Sequence, residues 1–317
     1  MFQFGIYPGG MSGTDTGMTS GPVNDPQKIA HALSKLHGSA PMFIIRAYTG
    51  YKGKGQPASI VPENPEQYVT SNRCLDLVLC FQTEEHDLDG WKDFIKEQIA
   101  TYSVQLRYLQ ITEEANVNLP SLDGFYSNSR RALVEGIVFA KSEIKAAGLS
   151  IEVGFNATPD FNPNRMFWKE IRSLATPEFY QSLDYVGLDC FPDVFRTLPR
   201  ENGEILAYDA LKQVITFFRS GITDAGIRTD IPLHLTENGW PTNSSRSEID
   251  QSKALNSIIR AIHSLSSDFN ITTYELFDLR DADSKSENIF YRFGIMNDDY
   301  TPKLAFETYC SLISELS

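Results

Sequence analysis

What this chain of 317 residues lacks narrows its class before anything present is read. No stretch approaches the ~20 consecutive apolar residues of a spanning helix, so no membrane partner is expected. Positive charge is short: 28 Lys and Arg stand against 41 Asp and Glu, a formal net charge of −13. An acidic surface repels phosphate backbones and anionic membranes, which argues against nucleic acid and favours a neutral or cationic ligand. The four cysteines, Cys74, Cys80, Cys190 and Cys310, are spaced neither as a zinc ribbon nor as a redox Cys-x-x-Cys. They are expected as buried thiols. The glycine-rich stretch Pro8–Gly13 lacks both the Gly-x-Gly-x-x-Gly spacing and a Walker lysine, so it is not a phosphate loop. No His-x-His closes the first β-rich run, and no Gly-x-Ser-x-Gly elbow occurs. Neither a metal nor a cofactor is expected. The first residues carry no basic n-region and no signal-length apolar run, which reads as cytoplasmic, or as secreted if a leader has been removed.

What is present is a repeated alternation. Short β-rich runs occur at Phe2–Pro8, Met42–Thr49, Leu75–Gln82, Leu106–Thr112, Ile151–Ala157, Leu183–Phe191, Leu233–Glu237 and Ile271–Phe277. Most are almost continuously apolar, as strands covered on both faces should be. They recur about every 40 residues, room for one strand and one helix each. Helical stripes fill the gaps. Asp25-Pro26 reads as an N-cap followed by proline at the first helical position, and Gly38 as the stop. Leu133, Ile137, Ala140 and Ile144 share a face, as do Leu211, Val214, Ile215 and Phe218 before Gly221. Leu255, Ile258, Ile259, Ile262 and Leu265 form another stripe, and Leu304, Tyr309, Leu312 and Ile313 the last. The expectation is an α/β chain folded as a single (β/α)8 TIM barrel over residues 1–317.

Such barrels place their chemistry at the C-terminal ends of the strands. The polar and aromatic residues there are Arg46 and Tyr48 on the second strand, Glu113 and Glu114 on the fourth, and Asn156 on the fifth. Asp189 and Phe191 end the sixth, Glu237 and Trp240 the seventh, and Glu275 the eighth. Leu109 and Ile111 should face the helices and Gln110 and Thr112 the barrel axis. Glu114 continues the inner side. Two carboxylates from strands across a narrow barrel can converge on one sugar. Glycoside hydrolysis needs one protonated carboxyl to give a proton to the leaving oxygen and one ionised carboxylate to attack the anomeric carbon. Their environments must hold their pKa values apart. Arg46 beside Glu237 would keep that group ionised, and Glu113 beside Glu114 would keep Glu114 protonated.

These residues carry a resemblance. The chain resembles clan A of the retaining glycoside hydrolases, which are (β/α)8 barrels. Thr236-Glu237-Asn238-Gly239-Trp240-Pro241-Thr242 is similar to the strand-7 motif of family 17, the β-1,3-glucanases. Ile45-Arg46-Ala47-Tyr48 is similar to that family's Arg-x-Tyr on strand 2. Tyr108 through Glu114 aligns with the Gln-x-Gly-Asn-Glu of families 17 and 53, and Asp184 through Pro192 with their strand-6 segment. Phe293-Gly294-Ile295 through Thr301-Pro302-Lys303 resembles the turn before the last helix. The matches span most of the chain in order. The resemblance implies Glu237 as nucleophile and Glu114 as general acid/base; if the register slips by one, Glu113 takes that place. It departs in two places. Glu113 stands where the clan has an asparagine that binds the sugar 2-hydroxyl. Cys190 and Phe191 replace a tyrosine, so a hydroxyl for the nucleophile must come from elsewhere, with Tyr48 and Tyr274 as candidates.

The implied function is a retaining β-glycosidase acting on a β-linked neutral glucan or oligosaccharide, with Arg46, Tyr48, Glu113, Asn156, Asp189, Phe191, Trp240 and Glu275 around the substrate. A β-1,3 linkage follows from the strand-7 resemblance. Trp240, Tyr48, Tyr51, Phe191 and Trp168 are candidate sugar platforms, because sugar C–H faces pack on aromatic rings. Each residue also has a plain structural reading, as an ion-pair partner or a core side chain. The rival functions are a catalytically inactive barrel that binds a glycan or a protein partner, and a lyase or isomerase using Glu114 as base.

Overall fold

The computed structural model describes residues 2–14, 16–86, 88–161, 164–201 and 204–317. Eight parallel strands form the barrel: β1 (Gln3–Ile6), β2 (Phe43–Tyr51), β3 (Arg73–Phe81), β4 (Leu106–Ile111), β5 (Glu152–Ala157), β6 (Tyr185–Asp189), β7 (Leu233–Asn238) and β8 (Ile271–Leu276). Closure is made by β1, whose Phe4 pairs with Phe43 on one side and Tyr274 on the other. The fold is therefore the (β/α)8 barrel that the alternation predicts, and each predicted β run overlaps one strand, with β2, β3 and β7 running one or two residues past the predicted bounds.

Eight helices surround it: α1 (Pro26–His37), α2 (Asp89–Tyr102), α3 (Ser129–Ala146), α4 (Met166–Leu174), α5 (Pro177–Ser182), α6 (Ala207–Asp224), α7 (Glu248–Phe269) and α8 (Leu304–Leu316). Their distribution is uneven. Between β2 and β3 there is only the one-turn 3-10 helix Pro65–Tyr68, whereas the β5–β6 connection carries both α4 and α5. Pro57, Pro62 and Pro65, with Gly53 and Gly55, interrupt any helical run between β2 and β3. That connection instead folds a short strand, Ile60–Val61, antiparallel onto Tyr48 and Thr49.

Local signals explain most boundaries. Asp25 caps α1 by accepting from the amides of Gln27 and Lys28. A reciprocal Ser247–Asp250 capping box starts α7. Gly221 does not end α6, which runs on to Asp224; the glycine lies against Trp168, whose Nε1 would stand 2.3 Å from an added Cβ. Leu304 is 52% exposed because it opens α8, ahead of the turn that packs. Outward strand residues such as Leu77, Leu109 and Ile111 meet helix residues such as Leu33, Ile95 and Ile137 in one continuous apolar layer. Inside the barrel, the N-terminal end is filled by Ile44, Cys74, Tyr108 and Tyr185. His234 stacks on Tyr185 at 4.0 Å, and burial lowers its pKa to about 3, so it sits there neutral. Three of the cysteines are buried and Cys310 is partly so; all four are free. Among the described residues no helix is long and apolar enough to cross a membrane.

Candidate active site

Above the aromatic plug the barrel interior turns polar. Asp76, Gln110, Asn156, Asp189, Thr236 and Glu275 are all 1% exposed or less, and they converge on the equally buried Arg46 or its neighbours. Room for them comes from Gly187, where a Cβ would stand 2.5 Å from Thr236 Oγ1 and 2.8 Å from Asn156 Cβ. Arg46 organises the cluster. Its Nε donates to Tyr48 Oη (2.7 Å), its NH1 to Asp76 Oδ2 (3.0 Å), and its NH2 to Gln110 Oε1 (2.9 Å) and Glu113 Oε2 (3.4 Å). Glu275 Oε2 lies 3.9 Å from NH1. The Tyr48 hydroxyl, accepting from Arg46, donates in turn to Glu237 Oε1 at 2.5 Å. Of the two tyrosines proposed for that contact, Tyr48 makes it; Tyr274 Oη donates to Asn238 Oδ1 at 2.6 Å.

The end of β4 departs from simple alternation. The strand stops at Ile111, and Thr112 adopts φ +68°, a left-handed value that is unusual for a β-branched residue. The period of two therefore does not extend to residues 113 and 114, and the alternation argument that put Glu114 alone on the inner side fails there. Glu113 turns into the cluster, where its Oε2 accepts from Gln110 Nε2 (2.7 Å) and Asn156 Nδ2 (3.1 Å). Glu114, at φ +44°, also faces the cavity, and its amide donates to Asn156 Oδ1 at 2.8 Å. Asp123 fixes this turn, accepting at one oxygen from the amides of Phe81 (2.6 Å) and Glu113 (2.9 Å).

Carboxyls far outnumber cations here, and burial dominates their titration. Glu113, Asp189 and Glu237 bring one oxygen each within 4.8 Å of one another. Burial, then the nearby Glu237 charge, pushes Glu113 well above the carboxylate range, so it carries a proton. Three N–H donors already point at its Oε2, which leaves Oε1 as the better proton site. Burial, then Glu237, also raises Glu114 to about 8. Glu237 is raised by burial but held down by Arg46 and by hydrogen bonds from Tyr48 and Glu113. Glu275, pushed far up by burial and by Asp76, keeps its proton and donates it in a hydrogen bond to the Asp76 carboxylate. That proton serves oxygens with no N–H or other O–H partner. Asp189 accepts from Thr236 Oγ1 (2.6 Å) and from Asn156 Nδ2.

The cluster opens into a cavity of about 1420 Å³ lined by Tyr7, Tyr48, Glu113, Glu114, Asp189, Phe191 and Glu237 among others. The predicted site residues Arg46, Tyr48, Glu113, Glu114, Asn156, Asp189 and Glu237 are thus brought together, and Phe191 lies on the wall. Four are not on the wall: Arg46 and Asn156 lie behind it, buried in the cluster, and Glu275 and Trp240 lie elsewhere. Glu275 lies in the barrel interior, paired with Asp76 beside Arg46. Trp240 is 2% exposed; its Nε1 donates to Asp193 Oδ2 (3.1 Å), and Arg246 lies over its ring. Of the other proposed platforms, Trp168 is buried against Phe167 and Phe218 and Tyr51 against Phe81 and Trp91. Sequence reading missed Asp76, Asp123 and Tyr7. A lone aspartate inside the apolar run of β3 was the available signal for Asp76. Tyr7, at the end of the first β run, met the same strand-end criterion as Tyr48 and was passed over; Asp123 had no signal, since its role depends on the turn after β4.

No known protein family matches the chain by sequence, and no curated protein sequence does. Solved structures do resemble it. A family 39 glycoside hydrolase from the gut symbiont Bacteroides cellulosilyticus WH2 aligns with a TM-score of 0.62 at 13% identity, over 98% of this chain and 63% of that one. A glucosidase from Croceicoccus marinus gives 0.61 at 13% identity, over 100% of this chain and 70% of that one. A family 2 β-galacturonidase from Eisenbergiella tayi gives 0.59 at 14% identity, over 91% of this chain but only 47% of that one. The chain thus spans about half to two thirds of these longer proteins, and the likeness is one of fold.

Proposed function

We propose that the chain is a retaining β-glycosidase of the clan A type. The observation that carries this reading is a pair of cavity-lining carboxyls on the ends of β4 and β7, one of which, Glu237, accepts a 2.5 Å hydrogen bond from the Arg46-bound Tyr48 hydroxyl. Glu114 is raised to about 8 and so is an acid at neutral pH, while Arg46 and Tyr48 favour the anion of Glu237. In the first step Glu237 attacks the anomeric carbon and Glu114 protonates the departing glycosidic oxygen. In the second, Glu114 takes a proton from water, which displaces Glu237 from the sugar. Arg46 and Tyr48 orient the nucleophile. Glu113 and Asp189 face the sugar hydroxyls, and Asn156 behind them orients both carboxyls. An uncharged glycone suits this site, because a uronic acid would add a second negative charge beside the Glu237 anion while the Arg46 N–H groups are already engaged.

The test is labelling with a panel of 2-deoxy-2-fluoro-β-glycosyl fluorides, read by intact and peptide mass. A covalent sugar on Glu237 is expected with at least one member, and none in Glu237→Gln. An adduct on another residue, or full hydrolytic activity in Glu237→Gln, would overturn the assignment. No adduct with any sugar would favour the inactive glycan-binding barrel.

A further inference from the structure

The mouth of the cavity is not equally open all round. The loop after β1 is fastened at its base to the loop after β8: Arg280 N donates to Gly9 O at 3.3 Å, and Ser12 Oγ donates to Phe290 O at 2.6 Å. Beyond Ser12 it folds into a hairpin, Gly13 pairing antiparallel with Met18 and Thr14 with Gly17. The hairpin is braced from within. Ser12 N donates to Thr19 Oγ1 and Thr19 N to Ser12 O, both at 2.9 Å, and Thr14 Oγ1 donates to Gly17 O at 2.6 Å. Its far side is fastened to the loop after β4, where Ser121 Oγ donates to Thr14 O at 3.1 Å. The approach is close: a Cβ added at Gly13 would stand 2.9 Å from Ser121 Oγ. Ser121 O accepts in turn from Gln82 Nε2, just past β3, at 3.2 Å.

In the closed ring β1 and β4 are three strand positions apart, with β2 and β3 between them. A hydrogen bond between the loops that follow them therefore crosses part of the barrel mouth. It crosses on the inner side, because Ser12, Gly13, Gly17 and Met18 line the same cavity as Glu113 and Glu237. The wall at that end is completed by Val61, on the short strand laid against Tyr48 and Thr49. The sector over β5 to β7 differs. Its loops are fastened to adjoining ones, Thr158 to Asn116 and Asp193 to Trp240. Phe161 and Phe195 on those loops stand 62% and 65% exposed, so this side of the mouth faces water. A polysaccharide bound through its middle needs a cleft open at both ends, whereas a chain end needs only one opening. Resting on the glycosidase reading above, we infer that the enzyme removes sugars from chain ends, and that the Gly13–Met18 hairpin is the element that excludes internal segments of a chain. The saccharide enters over β5 to β7, and its terminal unit stops against the hairpin above Tyr48 and Glu237.

The experiment uses the whole chain and the glycone that labels best in the fluoride panel. Its β-linked pentasaccharides, tagged at the reducing end, and the corresponding soluble polysaccharide are digested side by side; for glucose these are the β-1,3 and β-1,4 forms. Early digestion should give one tagged product from the pentasaccharide. The polysaccharide should lose almost no viscosity while new reducing ends accumulate. Ser121→Ala removes the neutral hydrogen bond that holds the hairpin across the mouth, so the share of internal cuts should rise about fivefold. Replacing residues 13–18 by two glycines should raise it further, with circular dichroism confirming the fold; Ser121→Ala covers the case that the shortened loop misfolds. Labelling of Glu237 together with a steep early fall in viscosity, or with no release from any pentasaccharide, would overturn this inference and leave the glycosidase reading standing. A chain-end pattern unchanged in the folded variants would overturn the role of the hairpin. Neither labelling nor hydrolysis with any sugar would take both readings down.

Discussion

Tyr48 links the fixed charge of Arg46 to Glu237, the proposed nucleophile, because its hydroxyl accepts from one and donates to the other. A hydrogen bond given to a carboxylate favours its charged form. Tyr48→Phe should therefore raise the pKa of Glu237 and move the acidic limb of the pH–rate profile upward by about one unit, a value within reach of one charged hydrogen bond. In the unaltered protein the profile should be a bell. Its basic limb falls near 8, where Glu114 loses its proton, and its acidic limb lies above the ordinary carboxyl value, where Glu237 gains one. A profile flat through pH 8 would count against Glu114 as the acid. Glu114→Gln should lower kcat by about 10²–10⁴-fold for poor leaving groups. At this scale the sequence was informative wherever a residue's place on a strand end decided its direction, as for Arg46, Tyr48 and Glu237. It was uninformative where direction depends on how the chain turns after the strand. Glu113 and Glu114 are the example, since their orientation follows from the left-handed φ of Thr112. Trp240 is another: a tryptophan two residues past a strand end reads as a sugar platform, yet Asp193 and Arg246 hold it away from the cavity wall.

Among the elements, strand positions were legible because both faces of each strand are covered, which leaves a short apolar run that only a buried strand explains. The start of α1 was legible through Asp25, whereas the Ser247–Asp250 signature that starts α7 was passed over. The connection between β2 and β3 was also written in the sequence, as Pro57, Pro62 and Pro65, but a uniform repeat overrode that signal. Gly221 illustrates the opposite error, a glycine taken as a stop that is needed for contact. Replacing a helical glycine by alanine on an open face should gain up to about 1 kcal/mol. At Gly221 the new methyl would press on the buried Trp168 ring. Gly221→Ala should therefore destabilise the chain by about 1–3 kcal/mol, measured by urea unfolding. A stabilised variant would mean that α4 and α6 can separate at little cost.

For the whole molecule, the pattern of buried acids sets how stability depends on pH. Glu114 is raised to about 8 and Asp123 to about 7, and Glu113, Asp189, Glu275 and Asp278 are all pushed upward, chiefly by burial. The native state therefore holds protons that an unfolded chain releases above about pH 4. Stability from such groups is complete below the unfolded pKa and is lost as pH rises through the folded one. The net charge of −13 acts in the same direction, since self-repulsion grows as carboxyls ionise. Tm should accordingly rise by at least about 2 °C as pH falls from 8 to 5, measured by differential scanning fluorimetry. A Tm that falls over that range would show that these carboxyls ionise without cost in the folded chain.

The closing seam of the barrel carries a consequence in time. Phe4 of β1 pairs with Phe43 on one flank and with Tyr274 on the other, and Tyr309 of α8 donates to the Gly5 carbonyl at 2.6 Å. The first strand made is thus the last to be completed on its second side. At ribosomal rates of about 5–20 residues per second, β1 waits roughly 15–50 s for β8 to be synthesised. During that interval the second side of β1 has no neighbour and the sheet stays open. A stall in translation before residue 271 would leave an aggregation-prone open sheet where the finished chain has a ring.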